Sequence, residues 1–149
     1  MSRTIIKLFF YLCILTVLPS YAQNAVHYYF KTMDIRNGLS QNTVYQILQD
    51  RKGFMWFGTK DGLNRYDGLS YRVYKKENSG LGKNFITALY EDHEGNIWIG
   101  TDGGVFIYNP VLDSFTAFNQ TSDKGTVIKD FVTMIGSDEY DNIWISVEN

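Results

Sequence analysis

Residues 51–62, RKGFMWFGTKDG, recur as HEGNIWIGTDGG at residues 93–104, 42 positions later. The two stretches share Gly, Trp, Gly and Thr at the same spacing. These residues are Gly53, Trp56, Gly58 and Thr59 in the first copy, and Gly95, Trp98, Gly100 and Thr101 in the second. Self-similarity at a period of about 20–50 residues is typical of propellers, solenoids and related repeat folds. The duplicated stretch therefore predicts one supersecondary unit per copy.

The similarity continues beyond the duplicated stretch. Residues 38–50 align with 80–92, and residues 130–146 begin a third copy, 46 positions after the second. Trp144 occupies the place of Trp98 in this copy, whereas Ser146 and Val147 replace Gly and Thr. We divide the chain into repeat 1 (38–79), repeat 2 (80–125) and a partial repeat 3 (126–149).

Each copy reads as four short strands. In the second copy the apolar segments are 85–92, 97–101, 105–109 and 114–119, separated by turns rich in Gly and Asn. These turn residues suit tight hairpins, and helical spacing of apolar residues is absent. Four strands in about 42 residues is the size of a propeller blade. We predict an all-β fold of four-stranded antiparallel β-propeller blades, an incomplete ring of about two and a half. A plain β-meander with duplicated hairpins is the alternative.

The repeated residues have predictable roles in such blades. A Trp on a blade strand can fill the wedge between neighbouring sheets. Gly58 and Gly100 would let the next sheet approach closely, and the hydroxyls of Thr59 and Thr101 would bond backbone at the strand end. The recurring carboxylates, Asp50, Asp92 and Asp138, are expected to accept N–H bonds in the following turn.

The first 22 residues resemble a signal peptide. Arg3 and Lys7 precede an apolar stretch that ends at Leu18, and Ser20 and Ala22 fit a cleavage site after Ala22. An uncleaved membrane anchor is the alternative, but the stretch is shorter than the roughly 20 residues that span a bilayer. Residues 23–37 then predict an N-terminal strand of the kind that closes a propeller ring.

Charge and composition exclude several functions. The single Cys lies in the leader, so the mature chain has no disulfide and no Cys-based metal site. Without the leader it carries 12 basic and 16 acidic residues, a net charge near −4, and no basic run that suits nucleic acid. Its two histidines, His27 and His93, stand outside any catalytic motif. We therefore expect no catalytic residues, no metal and no cofactor in this chain.

Ligand contacts are best sought where the copies differ, because the repeated residues carry the fold. Lys60, Asn64 and Arg65 differ from their counterparts in the second copy, which are Asp102, Phe106 and Ile107. Polar groups beside exposed aromatic rings would suit a sugar. These three residues are the candidate ligand-binding residues, and a solvated strand surface is the alternative.

Residues 38–68 and 93–109 resemble repeats of the two-component regulator propeller family. The resemblance implies the periplasmic sensor of a hybrid two-component histidine kinase, in an inner-membrane parent that responds to an oligosaccharide. The partners would be the remaining blades of that parent, or copies of this chain. A stand-alone exported lectin that oligomerises to close a ring is the second hypothesis. A propeller enzyme is the third, and it would need a unique acid–base pair that this chain lacks.

Overall fold

The computed structural model describes residue 3, residues 27–118 and residues 128–148. The chain divides into two compact units, Met1–Lys31 and Thr32–Asn149. In the first unit, residues 27–31 have no regular secondary structure. Apart from residue 3, the predicted signal peptide lies outside the described residues, as does its cleavage site. Within the described ranges, no helix has the length and apolar character needed to cross a membrane.

The second unit contains three antiparallel sheets. Sheet 1 consists of β1 (Val44–Gln49), β2 (Met55–Thr59), β3 (Gly62–Tyr66) and β4 (Tyr71–Tyr74). Sheet 2 consists of β5 (Ile86–Glu91), β6 (Ile97–Thr101), β7 (Gly104–Asn109) and β8 (Ser114–Ala117), and sheet 3 of β9 (Phe131–Ser137) and β10 (Ile143–Glu148). Within each sheet, strands that are consecutive in the chain pair with each other. The prediction of all-β, four-stranded propeller blades is confirmed.

The first hairpin of every sheet has the same register, including one bulge at the same place. In sheet 2 the bulge lies between Ile86 and Ala88, and Ala88 pairs with Gly100. In sheet 3, Ser146 pairs with Met134 in the same way. The third copy is therefore the same structural unit, although its sequence departs from the motif.

The three recurring carboxylates close the turn after the first strand of each sheet. Asp50 Oδ1 accepts the backbone N–H groups of Lys52 and Phe54, at 3.0 and 2.9 Å. Its Oδ2 accepts the indole N–H of Trp56 at 2.8 Å. Equivalent carboxylate–indole bonds join Asp92 to Trp98 at 2.8 Å and Asp138 to Trp144 at 3.0 Å. The predicted turn role is confirmed, and the link to the tryptophan is a further role that the sequence did not reveal.

Burial of the tryptophans follows the packing of the sheets. Trp56, 1% exposed, stacks on Tyr74 in its own sheet and meets Tyr108 of sheet 2 with ring centroids 5.0 Å apart. Trp98 is also buried and packs against Phe118. Trp144 is 64% exposed. Trp56 thus packs against sheet 2, and Trp98 belongs to one cluster of buried residues with Val132 of sheet 3.

The threonines of the motif bond as predicted at the strand ends. Thr59 Oγ1 donates to the carbonyl of Gly62 at 2.8 Å, and Thr101 Oγ1 donates to that of Gly104 at 2.8 Å. Each hydroxyl thereby spans the turn between the second and third strands of its sheet.

The predicted strand in 23–37 is not present in its described part. Residues 27–34 belong to no strand, and Ile35–Asn37 form a 3₁₀ turn. Asp34 caps this turn, because its side chain accepts the N–H of Arg36. A β-strand takes its backbone hydrogen bonds from a neighbouring strand, and residues 27–34 are not part of any strand. A role in closing a ring remains a prediction.

Candidate functional site

The three candidate ligand residues lie in different environments. Lys60 lies exposed in the turn between β2 and β3, whereas Asn64 and Arg65 are neighbours within β3. Successive side chains of a strand point to opposite faces of its sheet, so Asn64 and Arg65 do not share a surface. The structure therefore does not bring the predicted set together.

Asn64 is a structural residue. Its side chain is fully buried, and its Oδ1 accepts the backbone N–H of Ser40 at 2.8 Å. Its Nδ2 donates to the Ser40 hydroxyl at 2.9 Å and to the carbonyl of Phe57 at 3.1 Å. These bonds fasten the segment before β1 onto sheet 1. The prediction that Asn64 contacts a ligand is wrong, because its amide is used within the core.

Arg65 lies between sheets 1 and 2, surrounded by aromatic rings. Its guanidinium carbon is 4.9 Å from the centroid of the Phe54 ring. It is also within 6 Å of the rings of Trp56, Tyr74 and Tyr108. Arg65 Nη1 donates to the hydroxyl of Tyr108. A cation among aromatic faces gains electrostatic stabilisation, so Arg65 links β3 to sheet 2.

Asp113 is the acceptor at the centre of this link. The hydroxyls of Tyr74 and Tyr108 donate to its Oδ1 at 2.6 and 2.7 Å. Arg65 lies 3.4 Å from Oδ1, and Arg72 forms an ion pair with Oδ2. We call Arg65, Arg72, Tyr74, Tyr108 and Asp113 the Asp113 cluster.

The electrostatics of the Asp113 cluster favour an ionised Asp113 and neutral tyrosines. Partial burial opposes ionisation of Asp113, but the two hydroxyls and the two arginines outweigh it and hold its pKa below the ordinary 3.8. Burial and the hydrogen bond to Asp113 raise the pKa of Tyr74 and of Tyr108 above 10.0. The cluster is therefore a clamp between sheets 1 and 2, in which two arginines and two tyrosine hydroxyls hold one carboxylate.

A small cleft opens beside the Asp113 cluster. It has a volume of about 160 Å³, and its lining includes Phe54, Arg65, Glu91, Tyr108 and Pro110. Sites for drug-sized ligands are usually about 300–1,000 Å³, so this cleft suits a few waters or a small ion, not an oligosaccharide. Glu91 also accepts the backbone N–H of Arg51, at 3.0 Å, which adds a tie between the sheets. The geometry supports an inter-sheet role for Arg65 in place of the predicted ligand contact.

Lys60, in contrast, lies beside a row of aromatic rings at the start of the first strand of each sheet (β1, β5 and β9), which we call the inner strands. Its ammonium is 6.0 Å from the centroid of Phe85. The Phe85 ring lies 4.8 Å from that of Tyr45 and 5.8 Å from that of Phe131. We call Tyr45, Phe85 and Phe131 the aromatic arc, in which each sheet provides one ring at or just before its first strand.

The aromatic arc is open to solvent. Tyr45 is 47% exposed, and Phe85 and Phe131 are half-buried. Aromatic rings present large apolar faces at a low entropic cost of ordering, and the apolar faces of sugar rings pack well on them. The sequence analysis did not identify the aromatic arc, because Phe85 and Phe131 align with each other but with Thr43 in the first copy. Among the described residues there is no group of three or more His, Cys, Asp or Glu placed to hold a metal.

Comparison with known proteins agrees with this architecture. Residues 38–61 and 80–103 match the two component regulator propeller family. Over 54 residues the chain is 44% identical to Histidine kinase P4 of Formosa agariphila, a match that covers 36% of this chain and 4% of that protein. Each matched segment covers the first two strands of one sheet, β1 and β2 in sheet 1 and β5 and β6 in sheet 2.

Solved structures share the fold. The extracellular domain of one hybrid two component system of B. thetaiotaomicron superposes with a TM-score of 0.66 at 31% identity, over 77% of this chain and 17% of that one. A second such domain from the same organism gives 0.61 at 31% identity, over 70% of this chain and 15% of that one. The chain therefore spans about a sixth of the length of these domains.

Proposed function

We propose that this chain, two segments of which match the two component regulator propeller family, contributes blades to the extracytoplasmic sensor of a hybrid two-component system. The observation that carries the proposal is that each matched repeat begins one of two adjacent blades. The extracellular domains of hybrid two component systems share this fold. The predicted signal peptide supports export to the periplasm, with a parent protein held in the inner membrane. The partner in signalling would be a histidine kinase, reached through further blades.

The signal in this proposal is an oligosaccharide, and the aromatic arc is the surface that would meet it. Adjacent rings are inclined by 59° and 81°, so a sugar unit could lie against the face of one ring and the edge of the next. Lys60, beside Phe85, would donate hydrogen bonds to hydroxyl or carboxylate groups of the sugar. Tyr45, as the most exposed ring, would contribute most of the new contact area.

The size of the native protein tests the parentage. An immunoblot of the envelope fraction, with an antibody raised against residues 38–118, should detect a band several times heavier than 17.2 kDa. A band at or just below that mass would contradict a large sensor and favour the stand-alone lectin. Size-exclusion chromatography would then show whether copies assemble into a ring.

Glycan binding tests the aromatic arc. The protein purified from the envelope is screened against oligosaccharides, and Tyr45→Ala and Lys60→Ala are compared with Tyr140→Ala as a control. Tyr140 is 78% exposed in the β9–β10 turn, at the opposite end of the inner strands. We expect Tyr45→Ala to weaken binding by about tenfold, the equivalent of one aromatic stacking contact, and the control to bind normally. Equal binding by Tyr45→Ala and the control would refute a role for the arc.

A further inference from the structure

One face of sheet 3 repeats a surface that is buried in sheets 1 and 2. Met134, Trp144 and Ser146 occupy the positions of Ala88, Trp98 and Gly100, which face the following sheet. We call these three residues of sheet 3 the trailing face. Met134 is 61% exposed and Trp144 is 64% exposed, and Trp144 keeps the indole bond to Asp138 that orients its counterparts.

The two interfaces already formed obey a steric rule. A Cβ placed on Gly58 would lie 2.7 Å from Ile86 Cγ2 of sheet 2. A Cβ on Gly100 would lie 2.7 Å from Val132 Cγ1 of sheet 3. At both interfaces a β-branched residue on the incoming strand thus lies against glycine on the receiving sheet, and in an interface packed this closely an added Cβ would force the two sheets apart.

Ser146 breaks that rule on the trailing face. It holds the register position of Gly58 and Gly100, and it carries a Cβ and a hydroxyl there. Thr133 Oγ1 donates to the Ser146 hydroxyl at 2.9 Å or to its carbonyl at 3.2 Å, which ties the serine to its own sheet. An incoming Ile or Val in the geometry of the first two interfaces would therefore overlap the Ser146 Cβ.

We infer that the trailing face receives a further propeller repeat whose first inner strand carries glycine or alanine in place of Ile86 and Val132. The inference rests on the proposed function, since it assumes that the propeller continues. We infer a propeller repeat as the partner because the trailing face has the same strand register as the faces that form the two existing interfaces. Its tryptophan is also oriented by the same bond to a carboxylate. A second copy of this chain fits poorly, because sheet 1 presents the β-branched Val44 at the position of Ile86 and Val132.

Self-association of the full chain gives the first test. Sedimentation equilibrium compares the natural chain with Ser146→Gly, which opens room for Val44 of another copy, and with Thr133→Val, which removes the bond to Ser146 but not its Cβ. We expect Ser146→Gly to lower the dissociation constant at least about fivefold, in line with the lower end of the cost of overpacking. The Thr133→Val chain should associate as the natural one does. Equal self-association of the natural chain and Ser146→Gly would overturn the steric rule.

An extended chain tests the preferred partner directly. Glu148 aligns with Asp102, so a second copy of residues 103–149 joined after Glu148 completes sheet 3 and adds a hairpin whose Val132 faces Ser146. Changing that added Val132 to Ala should raise the urea midpoint of the extended chain when residue 146 of the first copy is the natural serine. The same change should lower it in the Ser146→Gly background.

A higher midpoint with Val than with Ala opposite the natural Ser146 would overturn the inference. The immunoblot of the native protein separates this result from a failure of the proposed function. A heavy band together with a preference for Val would refute the steric rule alone. A light band would refute the proposal that the chain is part of a large sensor.

Discussion

The bond between Asp50 and Trp56 gives the sharpest stability test, because the same bond recurs in an exposed setting. Asp50→Ala removes the acceptor of two turn N–H groups and of the Trp56 indole. Trp56 is 1% exposed, so its N–H would be left unpaired in the core, whereas Trp144, bonded to Asp138, is 64% exposed. Water can readily replace Asp138 at the exposed Trp144, whereas at the buried Trp56 it has access only through the small cleft that Asp50 and Trp56 help to line.

The magnitude follows from the bonds lost. An unpaired buried donor costs about 1–3 kcal/mol, and each lost turn bond costs about 0.5–1.5 kcal/mol in net stability. Because Lys52 is exposed and its N–H can bind water, we expect Asp50→Ala to lower the free energy of unfolding by about 2–4 kcal/mol. That is a large share of the roughly 5–15 kcal/mol of a typical domain.

Urea denaturation followed by circular dichroism measures the effect without relying on tryptophan fluorescence. Asp92→Ala should resemble Asp50→Ala, because Trp98 is also buried. Asp138→Ala should cost clearly less than either. If all three variants lost the same free energy of unfolding, burial of the indole would not contribute to the loss, and the reasoning would be refuted.

Three further predictions concern the interface between sheets 1 and 2. Gly58→Ala should lower the free energy of unfolding by about 1–3 kcal/mol, because the added methyl group overlaps Ile86. In a double-mutant cycle, Gly58→Ala should cost less when Ile86 is also changed to alanine. Additive losses from the two changes would exclude the contact. The lowered pKa of Asp113 stabilises the folded state above the ordinary value of 3.8, and this contribution is lost as the pH falls through the lower folded pKa. Urea midpoints at about pH 6 and about pH 3 should therefore differ less in Asp113→Asn than in the natural chain, and an unchanged difference would exclude Asp113 as a source. Arg65→Lys should lower the free energy of unfolding by about 1 kcal/mol, because a lysine cannot stack its head group as a planar guanidinium does. Lys60→Ala, at the exposed turn, should change it by no more than about 0.5 kcal/mol. Equal urea midpoints for the two variants would contradict the clamp.

The repeat period was enough to predict the strands of this chain. Turn residues act through local backbone preferences, and the motif Trp and Gly recur because each blade makes the same contact with the next. Even where Asp141 replaces the turn glycine, it keeps a left-handed φ of 63°, compared with 90° at Gly53. Asp and Asn tolerate that conformation better than other residues with a side chain, so the turn survives the substitution.

The candidate site was less predictable, because its contacts join residues far apart in sequence. Arg65 meets Tyr108 and Asp113, which are 43 and 48 residues away. The sequence variation at Arg65 suggests ligand specificity, but in the structure Arg65 joins sheet 1 to sheet 2 through Tyr108 and Asp113. The aromatic arc also escaped notice, because its rings come from unequal repeat positions and meet only when three sheets are arranged side by side.

The connection between sheets 1 and 2 has a mechanical consequence. Gly62 N–H donates to the carbonyl of Asn84 at 2.8 Å, and Phe115 N–H donates to the carbonyl of Ser79 at 2.8 Å. One connecting segment is thus bonded to both sheets, near the inner strands at one end and at the outer edge at the other. Sliding one sheet past the other would require both bonds to break, so we expect the two sheets to move together as one rigid body. If the two sheets move as one rigid body, amide hydrogen exchange at Gly62 and Phe115 should be slow and should not change when a ligand binds. Faster exchange on binding would indicate that the sheets slide against each other.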